Sequence, residues 1–135
     1  MDIKVVVHLL DGQIIKGHTY DFFHNRPNFH LRPMLTGPDS PPVQISMRDL
    51  KAVFFVKTFE GDHTYSENKT FGPGNKAYGR KVAVTFKDGE RLVGTCTACR
   101  TEDQGFFLYP ADPASNNERV FCLSHAVTRL EDLKV

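Results

Sequence analysis

Along the first ten residues, IKVVVHLL is rich in β-branched and apolar positions, and KVAVTF at 81–86 places Val82, Val84 and Phe86 in a period of two. Both patterns predict strands with one buried face. After each comes Asp-Gly, which supplies the positive φ that a tight hairpin turn needs. A second strand follows in QIIKGHTY and in ERLVGTCT. The glycine in the middle of each predicts strong bending or a close approach of backbones. Third strands read NFHLRP and GFFLYP, and each ends in a proline that cannot donate to a ladder. Next come two polar stretches dense in turn formers, MLTGPDSPP and ADPASNNER. The fourth and fifth strands read VQI then KAVFFV in the first half, and VFCL then TRLEDL in the second. Short segments, SMRDL and SHAV, separate them.

The two series match at one offset, 77 residues, without a gap. It pairs Lys4 with Lys81, Val5 with Val82, Val7 with Val84, Asp11 with Asp88, Gly12 with Gly89 and Gly17 with Gly94. It continues through Phe29 with Phe106, Leu31 with Leu108, Pro33 with Pro110 and Val43 with Val120. A fixed offset over this span is the signature of internal duplication. The pattern divides the chain into a first unit at 1–56, a connection at 57–79 and a second unit at 80–135. Units this small are marginal alone, so shared burial is expected. The connection is polar but carries Phe59, Tyr65, Phe71 and Tyr78, which predicts that parts of it pack on the units. Five short strands per unit, with a bent second strand, predict a small closed barrel that hides its own edges.

These residues carry a resemblance. Asp-Gly, four residues, Gly (DGQIIKG and DGERLVG), then NFHL and GFFL, then strand, short turn, strand, resembles the Sm-like group of five-stranded SH3-like barrels over residues 3–56 and 80–133. The fold the resemblance implies is all-β: two tandem, strongly bent Sm-like barrels joined by a partly structured linker. It also implies assembly by pairing of outer strands, as a dimer or as a trimer that forms a ring of six barrels, and single-stranded RNA as a partner. The family's site residues transfer in part: Asn28 matches its asparagine, whereas Phe23 and Arg100 stand at its aspartate and Gly105 replaces the second asparagine. The Arg-Gly pair of its last turn is absent from SMRD and LSHA.

Composition narrows the chemistry. A formal charge of +1 provides no bulk field for a phosphate backbone. No apolar run is long enough to span a membrane. Three cysteines, all in the second half, do not form a paired secreted framework, so a cytoplasmic setting is expected. Cys96, Cys99, Cys122 and His125 together make a candidate zinc set, and the CTAC pair has a redox reading. The equivalents Thr19, Phe22, Ile45 and Arg48 cannot bind zinc, so core thiols without metal are the expectation. The imidazoles of His8, His18, His24 and His30 lack chelating spacing, and His8 and His30 are expected to face solvent.

The loop DFFHNRPNF places Phe23, His24, Asn25 and Arg26 before Asn28, around a rigid proline. Aromatic faces beside Arg and Asn suit a nucleobase or a peptide, which makes these five the candidate ligand residues. Asp11, Gly12, Gly17, Asp88, Gly89 and Gly94 are assigned to turns and close approaches. No nucleophile elbow, phosphate-cradling loop or metalloprotease helix is present, so neither catalysis nor a cofactor is expected. The functional expectation is an assembly or ligand-binding module of tandem barrels, with RNA binding and a zinc-stabilised interaction domain as alternatives.

Overall fold

The computed structural model describes residues 3–34, 41–59, 79–111 and 115–133. Ten strands follow in chain order: β1 Ile3–Leu9, β2 Ile14–Thr19, β3 Asn28–Pro33, β4 Val43–Ser46, β5 Leu50–Val56, β6 Arg80–Phe86, β7 Arg91–Cys96, β8 Gly105–Pro110, β9 Asn117–Leu123 and β10 Val127–Asp132. Short 3₁₀ turns at Met47–Asp49 and Ser124–Ala126 separate the fourth and fifth strands of each half. Each half therefore repeats the same order of elements.

The duplication extends to single hydrogen bonds. Leu10 N–H donates to the Asp49 carbonyl, and 77 residues on Lys87 N–H donates to that of Ala126. Met34 to Lys16 is repeated as Ala111 to Val93, and Met47 to Pro27 as Ser124 to Gln104. Gly12 and Gly89 sit at φ 93° and 92°, with Gly12 N–H on Leu9 and Gly89 N–H on Phe86. The Asp11 and Asp88 carboxylates each accept the backbone N–H two residues ahead, at 3.0 Å. One folding instruction is thus executed twice.

What the halves do not do is close. The strands form one antiparallel sheet in the order β10-β6-β7-β8-β9-β5-β1-β2-β3-β4. Among the described residues β4 does not pair with β5, nor β9 with β10, and the sheet is open rather than strongly curled. The expectation of two closed, strongly bent Sm-like or SH3-like barrels is overturned. The functional reading built on barrels falls with it: the tandem-barrel module, its RNA-binding form and its zinc-stabilised form. The resemblance reaches the turns and strand ends but not a closed barrel. The physical reason lies in β5, whose apolar run would have needed closure within its own half. Instead β9 of the other half covers it, placing Val53 opposite Phe121 and Phe54 opposite Val120.

All seven residues of β5 are buried, the pattern of a strand with neighbours on both edges and both faces covered. One apolar cluster runs through both halves, including Val5, Phe29, Leu50, Phe55, Val84, Phe86, Leu108 and Phe121. Full burial of each such side chain contributes about 1.5–3 kcal/mol, and this stabilisation is shared across the two halves. From the connection, Phe59 packs on this cluster and meets the His18 ring edge-on at 5.2 Å. Lys16 Nζ donates to the Phe59 carbonyl. Tyr65, Phe71 and Tyr78 lie outside the described residues, as do parts of the two polar loops after β3 and β8.

Candidate functional site at the joint between the halves

The β5–β9 joint gathers five phenylalanine rings, Phe22, Phe29, Phe55, Phe107 and Phe121. The Phe22 ring sits 5.2 Å from Phe29 and Phe55 and 5.3 Å from Phe121. Phe107 lies 5.1 Å from Phe121. Across this group the Arg119 guanidinium stacks on Phe55 at 4.4 Å and on Phe107 at 4.6 Å. Strand alternation explains the arrangement, because Arg119 lies opposite Phe55, and Phe107 opposite Phe121, on adjacent ladders. Gln104 ties the loop of the first half to the second by donating from Nε2 to the carbonyls of His24 (3.0 Å) and Arg26 (2.9 Å). Beside it opens a cavity of about 180 Å³ lined by His24, Asp103, Phe107, Tyr109 and Phe121, among others.

Charge closes the opposite end of the joint. Lys51 on β5 donates from Nζ to Asp88 at 2.7 Å and to Glu90, and lies 4.9 Å from the Phe86 ring. Burial alone would lower the Lys51 pKa; the hydrogen bonds to Asp88 and Glu90 outweigh it and hold the pKa above the ordinary lysine value. Asp88 is held below its ordinary value, first by the Lys51 hydrogen bond and then by the Glu90 N–H. The His125 ring donates through Nε2 to the Leu50 carbonyl at 2.6 Å, which clamps the second 3₁₀ turn to β5. Beyond the strands, Thr58 N–H and hydroxyl donate to Asn116 Oδ1, and Asn116 returns Nδ2 to the Thr58 carbonyl.

Residues singled out from sequence are distributed differently from one convergent site. Phe23 and Arg26 are exposed and stack on each other, with the guanidinium 5.0 Å from the ring. His24 turns toward the joint, 6.4 Å from Phe107. Asn25 is exposed, and Asn28 instead accepts from the Ser46 hydroxyl within the β3–β4 pair. Cys96 and Cys99 are buried as expected, but as a disulfide rather than as separate thiols. Cys122 is a buried free thiol whose pKa burial pushes far up. With two sulfurs bonded to each other and His125 on Leu50, that quartet is not arranged as a zinc set. Among the described residues no group of three or more His, Cys, Asp or Glu side chains is placed to hold a metal.

Two histidine readings also change or sharpen. His8 is half-buried rather than freely exposed: its ring lies 4.4 Å from Phe54, and burial lowers its pKa. His30 is exposed but held, its backbone N–H and ring Nδ1 both on the Asp21 carboxylate, at 2.8 and 2.6 Å. Lys51, Gln104 and Arg119 are the joint residues that sequence reasoning passed over. The one available signal was a lysine heading the apolar run KAVFFV.

The fold and this joint define a duplicated all-β sheet module whose halves meet strand to strand. The chain belongs to a family of unknown function (DUF6982), whose model matches residues 1–134. Comparison with curated proteins and with solved structures returned no match. Among the described residues no helix is long and apolar enough to cross a membrane.

Proposed function

We propose that this chain is a non-catalytic module that associates with copies of itself by continuing its sheet. The observation that carries the reading is the β5–β9 joint: the fifth strand of one repeat pairs with the fourth strand of the other, leaving their counterparts β10 and β4 at the two ends. The ends are therefore complementary by the same 77-residue relation. Transposing the internal register sets Leu130 opposite Gln44 and Glu131 opposite Val43 of a second copy. Arg48, the exposed equivalent of His125, then faces the Val127 carbonyl.

Such a contact is weaker than the internal one. Where β5 is buried throughout, β10 presents Arg129, Glu131 and Asp132, and Pro41 and Pro42 precede β4. Charges and prolines at edges limit pairing, so association is reversible and salt-dependent. The contact is head to tail, so it closes into a ring or extends according to its rotation.

Sedimentation equilibrium from micromolar to submillimolar concentration tests the reading. The expected result is a concentration-dependent mass of two or more chains, shifted to one chain by Val43→Lys, which puts a charge on the exposed edge. A single-chain mass throughout, with the wild-type sequence, would overturn it.

A further inference from the structure

Cys96 closes β7 and is fully buried, whereas Cys99, three residues on, retains slight exposure. Their Cα atoms are 5.7 Å apart and their sulfurs are bonded. Arg80 lies opposite Cys96 on β6 and directs Nη1 to Cys99 Sγ at 3.2 Å. Its Nε and Nη2 hold Asp132 of β10 at 3.0 and 2.9 Å, which fixes the guanidinium in place. A cation beside a sulfur favours the thiolate, the form that reacts. Cys122 has the opposite environment, desolvated and buried in the core, which keeps its thiol protonated. The second half thus separates one inert sulfur from a pair with unequal access and a fixed cation on its more accessible member.

We propose that Cys96 and Cys99 form a reversible thiol–disulfide exchange site for small disulfides of the glutathione class, with Cys99 as the reacting sulfur and Arg80 as its positioning cation. In the oxidising direction, the Cys99 thiolate attacks one sulfur of the small disulfide. A mixed disulfide forms at Cys99, and one small thiolate leaves with its electron pair. The Cys96 thiolate then attacks Cys99 Sγ, forms the internal bond and releases the second small thiolate. Two electrons pass from the protein sulfurs to the small disulfide, and the protons of the two cysteine thiols end on the two released thiols. The bond ties the end of β7 to the segment whose Thr97, Ala98 and Asp103 line the joint cavity. This chemistry is independent of self-association and is read by a different measurement.

The test uses the full chain, reduced and then exposed to glutathione disulfide, acid-quenched and weighed by mass spectrometry. The wild type should lose two hydrogens and keep no glutathione. Cys96→Ser should retain one glutathione on Cys99, and Cys99→Ser should gain none in the same interval. Arg80→Met should slow adduct formation on the Cys96→Ser background roughly threefold, since a tenfold loss of thiolate is partly offset by higher nucleophilicity; Arg80→Lys should recover most of the rate. Cys122 serves as the fold control, because it reacts with iodoacetamide only when the core opens. Should a variant fail that control, alkylation of the reduced wild type decides, with Cys99 labelled before Cys96. Equal modification of Cys99→Ser and Cys96→Ser, labelling of Cys96 first, or a wild type that stays dithiol in excess glutathione disulfide would overturn the proposal.

Discussion

Lys51 of the first repeat holds Asp88 of the second at 2.7 Å, and the same offset makes this pair unrepeatable. The residue equivalent to Lys51 is Thr128, and the residue equivalent to Asp88 is Asp11. Duplicated halves thus acquired a charge lock on one side of the relation only. Lys51→Met should destabilise the fold by about 1 kcal/mol, discounted because the Asp88 and Glu90 side chains are 55% and 37% exposed. Urea unfolding of the variant checks this, and the loss should shrink in high salt.

The pH dependence follows from the same pair. Lys51 has a raised folded pKa, so its contribution is complete below the unfolded lysine value and is lost as pH rises through the folded one. Asp88 has a lowered folded pKa, so its contribution is complete above the unfolded aspartate value and is lost as pH falls through the folded one. Asp21 behaves like Asp88: burial would raise its pKa, and the His30 N–H and ring overcome that. Melting temperature against pH should show a central plateau with an acid limb, and Asp88→Asn should flatten part of that limb.

Glycine substitutions separate crowding from backbone conformation. A methyl group at Gly17 would run into the Arg32 carbonyl oxygen, and one at Gly94 into that of Tyr109. Ala at either position should cost about 2–4 kcal/mol, since backbone atoms must move. At Gly12 and Gly89 nothing lies within 4 Å of the added methyl, and the φ values near 92° are the only obstacle. Ala there should cost about 1–2 kcal/mol. Denaturant midpoints of the four variants give the comparison, with similar losses expected within each equivalent pair.

Phe121 tests whether the halves fold as one. It is fully buried, touches Phe22 and Phe107, and lies opposite Val53 of the other half. Phe121→Ala should cost about 3–5 kcal/mol and lower the stability of both halves in a single transition. Far-UV circular dichroism and the near-UV aromatic signal should lose structure at the same denaturant concentration; two separated transitions would show independent units.

The strands were legible in sequence because their causes are local. NFHLRP and GFFLYP coincide with β3 and β8 to the residue, bounded by proline and fed by a turn. Asp-Gly at 11–12 and 88–89 marked both hairpins, and the constant offset marked the duplication. Alternation along a strand, positive φ at a turn and the missing donor of proline act within a few residues of their origin. Closure was not legible, because KAVFFV records only that β5 must be covered on its edges and faces, and a strand from either half can do that. Tertiary pairing of Phe54 with Val120 chose the other half and turned two expected barrels into one open sheet. The same holds for Lys51 with Asp88 and for Arg119 over Phe55 and Phe107. In each case the residue types were visible, but their meeting depends on which strands become neighbours, and that is settled by the free energy of burying the whole core at once.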